Sequence, residues 1–233
     1  YHAASAGEGP SVIVHAPRAA TLAAALGAHR EAAEHYRAAL RWGHLMAEDG
    51  RADLLERLSY ECYLIGALPE ASEARAAELA LRRANGDTLR TGAALRGLSR
   101  VAWYRLRNAE AERYAREAVD TLQQLPGGTE LAMAYSNMAQ LRMLADDPDG
   151  TQEWGERAVE LARSLGDLDT EIHALNNIGT ALMIAGDPRG AGILQANLDT
   201  ALAHGLQEHV ARAYTKSGTD IKRGDNIGHL DDW

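Results

Sequence analysis

At 233 residues the chain can hold one large or two small domains. Its 22 Gly, 6 Pro and absence of Phe accompany abundant Ala, Leu, Arg and Glu, a helical composition poor in the β-branched and aromatic residues that strands prefer. The formal net charge of −9 argues against non-specific nucleic-acid binding by the bulk surface.

No run approaches the ~18 apolar residues of a membrane span, and no signal peptide opens the chain. The single cysteine, Cys62, excludes an internal disulfide framework and suits a reducing compartment. A soluble, cytoplasmic protein is expected. The start at Tyr1 is read as a piece excised from a longer polypeptide. Both lysines, Lys216 and Lys222, fall in the last eighteen residues. The composition of 216–233 thus marks an atypical tail or degenerate capping segment.

The predicted elements, in chain order, alternate between two helix types. "REAAEHYRAAL" (30–40) is followed by "LERLSYECYLIGA" from Leu55, "PEASEARAAEL" (69–79) by "LRGLSRVAWYRLR" from Leu95, and "AEAERYAREAV" (109–119) by "YSNMAQLRMLADD" from Tyr135. "GTQEWGERAVEL" (150–161) precedes "LNNIGTALMIAGD" from Leu175, and "GAGILQANLDTAL" (190–202) precedes a weakened "YTKSGTDIKRGDN" from Tyr214. Successive helices of the second type begin 40 residues apart, then 39 for the last.

Within this type, called A, a small residue recurs at Ser59, Ser99, Ala139, Gly179 and Gly218, preceded by Leu58, Leu98, Met138 and Ile178. The other type, B, carries small residues at Ala32, Ala71, Ala111 and Thr151. Seven residues on come Ala39, Glu78, Ala118 and Ala158. Ala191 and Leu198 take these places in the fifth copy, and Glu78 departs from the pattern. "NGD" (85–87), "PGG" (126–128), "LGD" (165–167) and "AGDP" (185–188) supply the glycine that ends one helix and the Asp or Pro that starts the next. Each repeat is therefore two helices of roughly sixteen residues. No single pair can bury its own apolar face, so stacking of neighbours must make the core. The expected fold is all-α: one solenoid over 1–215, about five repeats of roughly 40 residues.

A small residue in helix A, Ala in helix B and a Gly-Asp turn resemble a tetratricopeptide array, which implies a right-handed α-solenoid. "YSNMAQLRMLADD", "WGERAVELARSLGD", "HALNNIGTALMIAGDP" and "EHVARAYT" further resemble the large ATP-binding LuxR-type transcriptional regulators, relatives of the maltose-regulon activator, over about residues 15 to 215. That resemblance implies a parent chain with an ATPase region before this segment and a helix-turn-helix after it. It places ATP and DNA binding in those regions, with no cofactor and no direct nucleic-acid contact here. "HLDDW" also resembles a family segment but arrives early, as if a helix pair were missing.

Helix A lines the concave face of such arrays, so its outward columns would form a groove. One column reads Arg57, Gly97, Asn137, Asn177, Lys216; its neighbour reads Glu56, Arg96, Ser136, Asn176, Thr215. Four residues beyond the second lie Tyr60, Arg100, Gln140 and Thr180. Asn both donates and accepts, which suits the backbone of an extended peptide or the hydroxyls of a small effector. By resemblance, the Asn before the apolar-small pair contacts peptides in related arrays. The candidate groove residues are Arg96, Arg100, Asn137, Gln140, Asn176, Asn177 and Thr180. Asn137 and Asn177 could instead bond to a neighbouring repeat's backbone and fix the stacking; Asn176 is expected to face the groove.

Arg90, Arg96, Arg100, Arg105 and Arg107 make the third helix pair locally basic within an acidic chain. They read as an anion site or as ion pairs with neighbouring Glu. Trp103 and Tyr104 read as packing residues or as a stacking platform.

No Walker-type phosphate loop or H-E-x-x-H motif is present, and His204 and His209 are spaced five apart rather than four. "RGD" at 223–225 is too short to signify, and Cys62 reads as a buried small hydrophobe. An enzyme is not expected. The leading expectation is a regulator's sensor segment that binds an effector or a protein partner. A freestanding peptide-binding adaptor and a structural or oligomerisation spacer are its rivals.

Overall fold

The computed structural model describes residues 9–206, 209 and 210. The expectations for the weakened last A helix and for the tail from 216 fall outside the described residues. Ten α-helices make up the described chain, with no strand among the described residues. They are α1 (Gly9–Ala25), α2 (His29–Leu40), α3 (Glu48–Leu64), α4 (Leu68–Ala84), α5 (Thr88–Tyr104), α6 (Asn108–Leu122), α7 (Thr129–Leu144), α8 (Pro148–Leu165), α9 (Leu168–Ile184) and α10 (Arg189–Ala203). A single 3-10 turn, Gly43–Leu45, separates α2 from α3.

The expected punctuation is present at three of the four turns; at 126–128 neither glycine has positive φ, and Gly128 is instead the extended residue before α7. Gly86, Gly166 and Gly186 have positive φ and follow helix ends, where a left-handed residue lets the chain reverse. Asp87, Asp147 and Asp167 then accept from the backbone N–H three residues on, at 2.9 to 3.1 Å, satisfying donors the new helix leaves open. The α1 helix was not legible in the repeat pattern: Pro17 lies within it, and Ala19 stands where later copies have Leu, Met or Ile. It nevertheless pairs with α2 and supplies the first A helix.

The chain divides after Pro126 into two compact units. In the first, three pairs (α1–α2, α3–α4, α5–α6) stack so that each B helix also touches the next A helix. Its core is unusually small-sided: Ala20, Ala32, Ala39, Cys62, Ala71, Ala94 and Ser99 are wholly buried among Tyr36, Leu55, Leu58 and Leu98. In the second, α7–α8 and α9–α10 pack over Met138, Ala139, Ala158, Ala162, Ile172 and Leu194.

The A and B columns meet where expected, with one correction. In α10 the buried positions are Gly190 and Asn197, whereas Ala191 is exposed and Leu198 half-buried. The register thus falls one residue earlier than read, 39 residues after Thr151 and Ala158. The reason is steric. A Cβ on Gly190 would lie 2.6 Å from the Gly179 carbonyl oxygen and 2.7 Å from the Met183 nitrogen, so the two backbones occupy the space. No helix among the described residues is long and apolar enough to cross a membrane.

Two neighbouring glycines separate packing from propensity. Gly190→Ala should destabilise the chain by ~1–3 kcal/mol, because backbone rather than a flexible side chain must move. Gly192→Ala, with nothing within 4 Å of its Cβ position, should stabilise it by about 0.5–1 kcal/mol. Urea unfolding of both variants checks the pair; equal effects would refute the close approach.

Candidate functional site

The amides predicted to line the groove are largely inside the second unit. Asn176 and Asn177 are wholly buried and Asn137 is 7% exposed. Asn177 Nδ2 donates to the Ser136 carbonyl at 3.2 Å, so α9 is fastened to the backbone of α7. Beside it, Ser136 Oγ and His173 Nδ1 lie 2.6 Å apart, also buried. The stacking role left open for Asn177 is therefore filled.

The expected exposure of Asn176 is corrected: close packing encloses it, and its side-chain amide makes no hydrogen bond among the described residues. Thr180 is half-buried, and its hydroxyl donates to the Asn176 carbonyl at 2.6 Å on its own helix. Gln140 is half-buried on α7.

The first unit solves the same packing problem with charge. Glu78 replaces the small residue of α4 and is 1% exposed, flanked by Arg75 at 2.9 Å and Arg82 at 3.7 Å. Arg82 is wholly buried and pairs with Asp53 of α3, which also takes Arg90 of α5 at 2.8 Å. Arg75 reaches the Glu56 carboxylate at 3.4 Å and donates to the Glu56 carbonyl at 3.5 Å.

Glu56 and Ser136 stand in the same repeat column, as do Gly97 and Asn177. The same carbonyl position is thus served by Arg75 in one unit and by Asn177 in the other. Gly97 makes room for the exchange, since a Cβ there would lie 2.8 Å from Arg75 Nε. The A helices α7 and α9 pack directly on each other, whereas α3 and α5, with this charged wedge between them, have no contact of that extent. Burial pushes the Glu78 carboxyl up to about 7, against the pull of Arg75.

An accessible cluster lies at the C-terminal ends of α3 and α5. The Tyr63 and Tyr104 rings meet edge to face at 5.1 Å, and Trp103 meets Tyr104 at 5.0 Å. Tyr60 lies 6.5 Å from Tyr63, and the Arg100 guanidinium sits 6.0 Å from the Tyr63 ring centre. Tyr60 and Tyr104 remain 48% and 46% exposed. Trp103 and Tyr104 thus pack against each other and still present ring surface.

Of the five arginines read as basic, Arg90 and Arg107 are ion-paired, to Asp53 and Glu110. Arg96 is half-buried. Arg100 and Arg105 have no carboxylate partner among the described residues. Tyr63 drew no notice in the sequence, because only folding brings it against Tyr104.

A separate open cleft of about 600 Å³ in the second unit runs between α8, α9 and α10. Its floor is Val159, Leu175, Ile178, Leu182 and Ile193, and Arg163 and Arg189 on its rim are paired with Glu171 and Asp187. Cys62 is buried, and burial pushes its thiol up to about 11, so it is neutral near pH 7. Among the described residues no three His, Cys, Asp or Glu are grouped to hold a metal ion.

No family model and no curated protein matches the chain. Among solved structures, it is similar to BtubC (BKLC) from P. vanneervenii at 20% identity and TM-score 0.64, over 97% of this chain and 95% of that one. It is similar to the nearly identical TPR-like repeats of a Podosopora anserina putative kinesin light chain at 15% identity and TM-score 0.60, covering 91% and 96%. A Rap protein complexed with competence and sporulation factor matches at 13% identity and TM-score 0.72, over 85% of this chain but only 58% of the Rap chain. At these identities the likeness establishes the fold, a tetratricopeptide-like helical repeat.

The wedge makes a pH prediction. Because the folded pKa of Glu78 lies above its ordinary 4.5, its favourable contribution is complete below about pH 4.5 and is lost as pH rises to about 7. At about 1.4 kcal/mol per pH unit separating the two values, up to about 3 kcal/mol is at stake. Measured by urea unfolding, the stability of Glu78→Gln minus that of wild type should rise across this window and level off above it. A constant difference would show that Glu78 is ionised throughout.

Proposed function

We propose that the chain is a protein- or peptide-interaction module that binds its partner on the A-helix face. The observation that carries this reading is the exposed aromatic cluster around Arg100 on α3 and α5. Aromatic rings with an arginine give large contact area at low entropic cost, the chemistry found at energetic centres of interfaces. The buried staples and the charged wedge fit a rigid frame beneath such a face. Within the second unit, half-buried Gln140 on α7 would offer a contact of its own, whereas Asn137 is buried. Asn176, Asn177 and Thr180 would act by shaping that frame rather than by touching the partner.

The resemblance of the repeats to those of LuxR-type ATP-binding regulators supports a sensor role within a parent chain, in the cytoplasm of a bacterium. Binding would then act by favouring one state of the parent over another, which requires differential affinity. Sequencing the gene on both sides tests this. An upstream phosphate loop with a downstream helix-turn-helix is expected, and short flanks lacking both would leave a freestanding adaptor.

The interaction reading has its own test. Selection from a random peptide library should enrich sequences that bind wild type and lose about tenfold or more in affinity to Tyr60→Ala/Tyr104→Ala, an effect of the size that interface anchors give. Asn177→Ala should lower stability by ~1–3 kcal/mol with little change in affinity once folded. Failure to enrich any peptide, or enrichment indifferent to the tyrosines, would reject the A-helix face as the binding surface.

A further inference from the structure

The exposed end of α3 and α5 has a chemical bias that narrows its partner. Tyr60, Tyr104 and Leu64 are 48%, 46% and 39% exposed, giving apolar surface next to Arg100 and Arg105, which have no carboxylate partner among the described residues. The acids of the surroundings are already committed: Glu56 to Arg75, Glu61 to His29, and Glu110 to Arg107. Arg100 and Arg105 thus stand as cations without a carboxylate partner among the described residues on a chain of net charge −9. Within a screening length of about 8 Å at physiological salt, the local arginines outweigh the distant acids. Arg100 offers a planar fork that matches a carboxylate on both oxygens, while its stem and the tyrosine rings offer a face to aliphatic groups.

The adjoining turn carries an independent signal. Leu106 has φ 59 and is 87% exposed, at the repeat position where Gly66 and Gly186 have φ 74 and 77 and Asp146 has φ 53. A branched residue there is strained and leaves a large apolar side chain in water, both unfavourable for folding, and such strain concentrates at functional sites.

We propose that the cluster of Tyr60, Tyr63, Arg100, Trp103 and Tyr104 docks an acidic peptide segment bearing aliphatic side chains. The ligand's carboxylates engage Arg100 and its aliphatic groups lie on the tyrosines, with Arg105 and Leu106 at the margin. This rests on the reading of the A-helix face as the binding surface and specifies what that face selects. A basic segment would meet Arg100 with like charge. A second copy docking through the same cluster would set Arg100 against Arg100, like charge against like.

The test uses the whole chain and three short, capped, fluorescently labelled peptides alternating Asp with Leu, Lys with Leu, and Asp with Ser. The Asp-Leu peptide should bind saturably and about tenfold or more tighter than the other two. Arg100→Ala should remove about tenfold of that affinity and Arg100→Lys should restore only part, since a point charge lacks the fork. Arg100→Glu, at a half-buried surface position, should abolish binding with its circular dichroism unchanged, which keeps the test sound if Tyr104→Ala fails to fold.

Preference for Lys-Leu, equal binding of Asp-Ser, or indifference to Arg100 would overturn the inference while leaving a peptide-binding face intact. Binding of none of the three, with productive library selection, would do the same. If the library also fails, both readings fall together. Concentration-dependent dimerisation abolished by Arg100→Glu would reassign the cluster to a second copy and overturn the proposal.

Discussion

The structure depends on how closely two helical backbones can approach within each repeat. At wholly buried Ala32, Ala71, Ala111 and Thr151 in the B helices, and at Ser59, Ser99, Ala139 and Gly179 in the A helices, side chains are small enough for intimate contact. A core built from alanines gains little transfer energy per residue, since burial scales with apolar area. It gains instead from dense packing, which leaves few voids and tolerates little change in volume. The Gly179–Gly190 crossing is the extreme case, where the position of a side chain is taken by neighbouring backbone.

That closeness has an electrostatic consequence. Backbone carbonyls on the A helices are drawn into contact with neighbouring elements, and polar partners then matter at fixed places. At the Ser136 carbonyl the partner is an amide from the next A helix, and α7 and α9 lie together. At the equivalent Glu56 carbonyl the partner is a guanidinium from the same repeat's B helix. It lies beside Glu78, to which it donates at 2.9 Å, and Gly97 leaves the room. Arg75, Glu78 and Gly97 thus work as one packed unit. An unpaired arginine in that place would carry a severe desolvation cost, and the surrounding carboxylates offset it.

The polar character expected of the A-helix face is correspondingly redistributed. Asn177, which looked like a ligand contact, fastens α9 to α7, and exposed chemistry concentrates where tyrosines and Arg100 meet at the helix ends. A rigid underlayer with adaptable rings above it is a favourable arrangement for recognition, because ordering costs are largely met before the partner arrives.

The sequence alone determined the all-α class, the helix pairs near 40 residues, the turns and the small columns, because each follows from local periodicity and residue size. It also carried enough to locate Arg100 and Tyr60 on an outward column. It could not decide which side of helix α9 Asn176 would present, since one residue's rotation on a helix is settled by what packs against it. The one-residue advance at Gly190, the joining of Glu78 to Arg75 and Arg82, and the meeting of Tyr63 with Tyr104 were likewise decided only by tertiary structure. Those relations link residues on different turns and helices. Their energies depend on distances that only packing sets, and no spacing along the chain encodes them.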